Sequence, residues 1–198
     1  VILLSAEDDP ADTIKPRLEA IGADCARIHI LEAIQETETE NESAKHLFSF
    51  KRDIAALEDL LSRLPDCRLV IIDPVSAYLD GTDSNKNSDI RGLLAPLAEM
   101  AARHKTAFIL VSHLNKNSGE NALYRTTGSL AFIAAVRTAY IVTKDKDNPE
   151  RRLVMPLKNN IAKDTTGVAY SVITAENNAP AIVWESEPVT MTADEALT

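Results

Sequence analysis

Three polar side chains stand just where buried apolar runs end. Glu7 follows Val1–Ser5, Asp73 closes Leu69-Val70-Ile71-Ile72, and His113 follows Ala107–Ser112. Open α/β sheets bind ligands at the carboxyl ends of their strands, so these groups would share one edge. Two carboxylates and an imidazole placed there can hold a divalent cation, polarise a water and respond to a nearby negative charge. Each alone has an ordinary reading: a carboxylate after a strand is often a helix cap or turn former, and Asp9 before Pro10 fits that description. Three at equivalent positions favour a site.

The elements that must position them are legible as patterns. Val1–Ser5, Leu69–Ile72, Ala107–Ser112 and Ala139–Thr143 are short, nearly continuous apolar runs, as expected of parallel strands covered on both faces. Arg27–Leu31 is a shorter candidate for an edge strand. Ile54, Leu57, Leu60, Leu61 and Leu64 follow helical spacing up to Pro65. Ser88 is placed as an N-cap for a helix burying Ile90, Leu93, Leu94, Leu97 and Met100. Ser129–Val136 reads as a small buried helix. Ala11–Ile21 reads as a helix closed by Gly22 that either starts near Thr13 or bends at Pro16. Strand and helix thus alternate to about residue 143, which predicts a parallel sheet with right-handed crossovers. Beyond it, Arg152–Leu157, Val168–Thr174 and Ala181–Glu185 alternate like antiparallel strands. Glu36–Ser43 reads as a solvated acidic loop, and the last ten or so residues are expected to fray.

Composition narrows the classes. The chain has 198 residues, 45% hydrophobic and 26% charged, with 30 acids against 21 bases and a net charge of -9. Disorder, collagen, a disulfide scaffold and a coiled coil are excluded. An acidic chain is a poor general polyanion binder, so contact with nucleic acid requires a local basic patch or the inner surface of an oligomer. No apolar run approaches the ~18 residues of a membrane span. Cys25 and Cys67 are isolated and outside any metal spacing, which fits a reducing, cytoplasmic setting.

The run LVIID has the form of the strand that, in P-loop ATPases, holds a carboxylate beside a nucleotide-bound magnesium ion. Alone it is weak, since many core strands end in Asp. With it come ILLSAEDDP, LVIIDPVSAYL, FILVSHLNK, RTTGSLAFIAAVR (Arg125–Arg137) and PLKNN, spread over nearly the whole chain. In these segments and their order the sequence resembles the RecA-like ATPases, most closely the AAA-type branch related to plasmid and phage replicative helicases.

The resemblance implies a RecA-like three-layer α/β/α fold over residues 1–186, mainly parallel, with an antiparallel hairpin region toward its carboxyl end. Residues 187–198 would form a tail. It implies ATP and Mg2+ as cofactors, with Asp73 at the metal, Glu7 as the glutamate that orients and polarises the attacking water, and His113 as the sensor of the γ-phosphate. Asn115–Thr127 would be a DNA-contacting loop, with Lys116 and Arg125 as its bases and Tyr124 for stacking. DNA, single-stranded, and further copies of the chain in a ring would be the partners.

Asn160 would lie beside the nucleotide. Arg137 and Lys158 would be fingers reaching a neighbouring subunit's site. Many hexameric helicases carry Lys-x-Arg where this chain has Lys158-Asn159-Asn160, which makes Arg137 the better finger. Both bases also have ordinary readings, Arg137 as a cap on its helix C-terminus and Lys158 as an exposed hairpin lysine.

One part of the pattern is not in these residues. A P-loop needs G-x-x-x-x-G-K-[ST], and none of Gly22, Gly81, Gly92, Gly119, Gly128 and Gly167 precedes a lysine. The family order would place that loop, with its strand, just before Val1. The expectation is therefore a core that hydrolyses ATP weakly or not at all by itself, with the strands at 107–112 and 139–143 left to pair directly, shift, or keep open edges. Two other readings stay open: a metal-dependent hydrolase using Glu7, Asp8, Asp9 and Asp73, and a non-catalytic RecA-like adaptor.

Overall fold

The computed structural model describes residues 1–39, 42–82, 86–113, 130–163 and 166–197, with the backbone alone described at 35–39, 42–45, 87, 130 and 131. These residues fall into two compact units.

The first unit comprises Val1–Pro10 and Asp24–His113. Its sheet has four parallel strands, β1 (Ile2–Ser5), β2 (His29–Ile30), β5 (Leu69–Asp73) and β6 (Ala107–Leu110), in the order β2-β1-β5-β6. Register sets Ser5 opposite Asp73 and Ile72 opposite Leu110, so the strands end together. Ile2, Leu4, Val70 and Ile72 are fully buried. Helix α2 (Ile54–Arg63) contributes Leu57 and Leu61 to the core, and α3 (Asn87–His104) contributes Ile90, Leu94, Leu97 and Met100. Lys86, not Ser88, precedes the first turn of α3, and the helix runs through Pro96. The proline ring there faces the carbonyl of Gly92, four residues back, where no side chain adds to the crowding.

Two expectations change in this unit. The acidic stretch read as a loop forms an antiparallel hairpin of β3 (Ile34–Thr39) and β4 (Glu42–His46). Its alternation of Thr with charged residues was hidden by the charge density. At its base, His46 Nε2 lies 3.1 Å from both carboxylate oxygens of the buried Asp53, which also accepts the Ser49 N–H at 2.7 Å. And β6, read as covered on both faces, is a sheet edge with Ala107 and Ile109 exposed.

The second unit comprises Ala11–Ala23 and the described residues after His113. After a π-helical turn at Pro10–Ile14 the chain runs directly into α1 (Lys15–Ala20), which carries Pro16 in its first α-helical turn. Helix α4 (Leu130–Ala135) leads into a four-stranded antiparallel sheet of β7 (Thr138–Lys144), β8 (Arg151–Asn159), β9 (Val168–Thr174) and β10 (Pro180–Trp184), in order β10-β9-β8-β7. β7 was expected as a doubly covered parallel strand. It pairs antiparallel with β8 and exposes Tyr140 and Val142, because a short apolar run carries no information about strand direction.

Ile141, Leu153, Met155 and Ala169 pack beneath Val189, Ala193 and Ala196, the latter two from α5 (Ala193–Leu197). The carboxyl-terminal residues, expected to fray, are held by this contact and by paired hydrogen bonds between Gly167 and Val189. No helix among the described residues is long and apolar enough to cross a membrane.

Candidate functional site

β1, β5 and β6 are neighbours in the parallel sheet, and the chain leaves each at the same edge. The turns there are tied by backbone bonds: Ala6 N–H donates to the Asp73 carbonyl at 3.0 Å, and Val75 N–H to the Val111 carbonyl at 2.8 Å. The Asp8 N–H donates to Ser5 Oγ at 3.4 Å, which turns the chain after Glu7. A cis peptide joins Asp73 to Pro74, and a tight turn at Val75–Tyr78 follows.

These turns bring Glu7, Asp73 and His113 together. His113 Nε2 lies 3.4 Å from Glu7 Oε1, with both side chains 59% exposed. A polar contact this open contributes little to stability, so its partners are available to a ligand. Asp73 sits deeper. Its carboxyl is pushed above the ordinary aspartate range, chiefly by burial and then by the negative charge of Glu7, with Asp8 adding to the effect and His113 opposing it. Negative potential thus accumulates at the strand ends, a setting that favours a divalent cation.

Tyr78 was not anticipated. It is buried beneath the site, and its phenol is pushed up to about 12, by burial first and then by the Asp73 charge. Its rings stack edgewise against Phe48 and Phe50, with centroids at 6.0 and 6.3 Å, so it forms a rigid floor under the turn after β5. The sequence signal was there in LVIIDPVSAYL, whose Tyr follows the aspartate by one turn. Among the described residues, no group of three or more His, Cys, Asp or Glu side chains is placed to hold a metal ion. A cation that completes its shell with phosphate oxygens and water needs fewer protein ligands than that.

An AAA domain family model matches residues 1–119, which include all three of these side chains. The chain belongs to the AAA domain family. Among solved structures it is similar to the RadB recombinase, with a TM-score of 0.60 at 12% identity, covering 92% of this chain and 78% of that one. The shared fold is RecA-like. No curated protein matches the sequence.

The other expected site residues are distributed differently, and Arg137, Lys158 and Asn160 follow the matched segment. Arg137 is exposed just past α4, and its carbonyl accepts the Asn160 N–H at 3.0 Å, which fixes Asn160 beside it. The Lys158 ammonium donates to the carbonyls of Ile133 and Ala134 at 2.8 and 3.1 Å. Lys158 thus caps the last turn of α4, where the helix dipole favours a cation. Lys116, Tyr124 and Arg125 lie outside the described residues.

Proposed function

We propose that this AAA domain is the core of an ATP-dependent DNA motor or replication ATPase, working as one copy in a ring of identical subunits in the cytoplasm. The observation that carries the reading is the convergence of Glu7, Asp73 and His113 at one sheet edge. The donor set fits Mg2+ with a nucleotide in part. Asp73 is a half-buried carboxylate on a rigid strand, suited to a cation that takes its remaining ligands from phosphate and water. When bound, Mg-ATP would supply an electrophilic phosphorus and a neutralised leaving group.

The chain's own residues would do the rest. Glu7, exposed and two residues past its strand, would accept a hydrogen bond from a water and hold it in line. His113, already within reach of Glu7, would couple occupancy of the site to the segment that follows it, where Lys116, Tyr124 and Arg125 would meet single-stranded DNA. Arg137 is the better trans finger, because Lys158 is engaged with α4 while the Arg137 guanidinium is exposed. Asn160, tied to Arg137 through the backbone, would lie on the nucleotide side.

The phosphate cradle is not among these residues, since no glycine precedes a lysine. A non-catalytic adaptor stays as the second reading. The hydrolase reading requires Glu7, Asp8, Asp9 and Asp73 to close around a metal, and the described side chains form no such cage.

Glu7→Gln in the protein at its full natural length decides between motor and adaptor. ATP turnover should fall by about 10²–10⁴, the range for losing a positioned acid-base group, while nucleotide affinity stays within a few-fold. Turnover that survives the change would remove the water-activating role. A wild-type protein that binds no nucleotide would establish the adaptor.

A further inference from the structure

The antiparallel sheet β10-β9-β8-β7 has two faces with different fates. Ile141, Leu153, Met155 and Ala169 point to the face covered by α5. The alternate residues point the other way, and register aligns them across the strands. Trp184 stands opposite Tyr170, Tyr170 opposite Arg152, and Arg152 opposite Lys144. One row thus crosses all four strands as Trp-Tyr-Arg-Lys. Beside it lie Val168, Val154 and Val142 on one side, Val172 and Ile182 on the other, with Tyr140 beyond.

This face is open. Trp184 is 55% exposed, Tyr140 54% and Val142 51%. Trp184 and Tyr170 meet edge to face, with centroids at 5.2 Å. The Arg152 guanidinium is steadied by Nη1 bonds to the carbonyls of Pro149 and Arg151 at 2.6 and 3.1 Å, and among the described residues Nε and Nη2 are left for other acceptors. Lys144 is exposed and makes no ion pair among the described residues.

Charge decides what fits. The chain carries a net -9, yet the four strands hold no Asp or Glu on either face, and Asp145, Glu150 and Glu185 stand just beyond their ends. The cations Arg152 and Lys144 therefore set the charge of the row on the open face. A row with two aromatic rings at one end and two cations at the other offers stacking for bases and pairing for phosphates together. At about 4.8 Å per strand the row extends roughly 14 Å, enough for about two or three bases on a sheet.

We propose that the Trp184–Tyr170–Arg152–Lys144 row is a binding site for single-stranded nucleic acid, separate from the segment holding Lys116 and Arg125. The site requires neither ATP nor the Glu7–Asp73–His113 edge, so it stands or falls independently of the ATPase reading.

Trp184 is the only tryptophan of the sequence, so its emission reports this face directly. The chain is titrated with oligo(dT) and oligo(rU) of about 15 nucleotides, following Trp184 emission and the anisotropy of the labelled strand. At least one oligonucleotide should quench Trp184 and bind with an affinity that falls as salt rises; the two arms show whether the sugar matters. Trp184→Ala should weaken binding roughly tenfold or more, and Trp184→Phe should largely preserve it.

The double change Lys144→Glu with Arg152→Glu should lower affinity and flatten the log-log salt slope by about 0.7 for each cation lost. Circular dichroism confirms that each variant remains folded, and the charge pair serves if Trp184→Ala does not. The proposal is overturned if these variants bind like wild type, or if only Lys116→Ala with Arg125→Ala abolishes binding. It is equally overturned if Trp184 emission changes with protein concentration alone while the chain sediments as a dimer, which would make the face a contact between copies.

Discussion

The two sheets spend their strands differently. In the parallel sheet, alternate residues of β1 and β5 are fully buried, and what is polar gathers at the strand ends. In the antiparallel sheet a broad side, apolar and cationic, stands open opposite the one packed by α5, besides the strand ends that carry Arg137 and Asn160. Crossovers between parallel strands bury one face of this sheet fully and the other in part, with Ile109 of β6 exposed, and gather the polar side chains at the carboxyl ends. Hairpins impose no such clothing, so one face remains available. In one chain, edge and face are thus two separate opportunities for binding.

The largest test of that separation is Leu153→Ala. Leu153 is 1% exposed and central to the α5 cluster. Truncating a buried leucine costs about 2–5 kcal/mol through lost transfer energy and the cavity left behind. Amide exchange should accelerate in β7–β10 and α5 well before it does in β1 and β5. Equal acceleration in both sheets would show a single cooperative unit and would end the contrast.

How much of this was legible follows the same division. The parallel strands, α2, α3 and the positions of Glu7, Asp73 and His113 could be read because buried strands are apolar runs and their ends are marked by the first polar residue. Direction was not legible: Ala139–Thr143 looks like Leu69–Ile72, yet only pairing with Arg151–Asn159 shows it to be an antiparallel strand with one open face. The β3–β4 hairpin was concealed because Glu and Thr are read as solvated before their alternation is noticed. Nor could the Trp184–Tyr170–Arg152–Lys144 row be seen, since its four members come from four strands and meet only through register. Lys158 has two readings in the sequence, a finger and an exposed hairpin lysine, and neither names its place at the end of α4. Its bonds to Ile133 and Ala134 depend on where α4 ends, which spacing does not give.

A second test uses pH and should have a smaller effect. Arg151 bonds Glu185 through Nε and Nη2 at 2.8–3.0 Å, and Asp145 through Nη1 at 2.8 Å. Its hydrogen bonds hold both carboxyls below their ordinary values. Such depressed groups stabilise the fold above the unfolded values of about 4, and that contribution is lost as pH falls through the lower folded values. Arg151→Met should therefore reduce the thermal midpoint at neutral pH, and between pH 7 and about 3 its midpoint should decline less steeply than wild type. Parallel curves would show that the pinning at the end of the antiparallel sheet is not electrostatic.

The smallest expected change in stability comes from the other sheet, and it has the opposite sign. Asp73 is held above its ordinary value by burial and by Glu7 and Asp8. A carboxyl raised in this way costs the fold stability as pH climbs through its folded value, and costs nothing below the unfolded value near 4. Asp73→Asn keeps the shape and removes the charge. The thermal midpoint at pH 7 should rise slightly, and the gain should vanish below about pH 4. Under the proposed function the same variant should lose Mg2+-dependent turnover, because the strand end would no longer offer an anion to the cation. Arg151 and its partners raise stability through their charges, whereas Asp73 carries its charge at a cost to the fold. A midpoint that falls on Asp73→Asn would mean that the carboxylate serves the turn after β5 as a structural acceptor rather than carrying its charge at a cost to the fold.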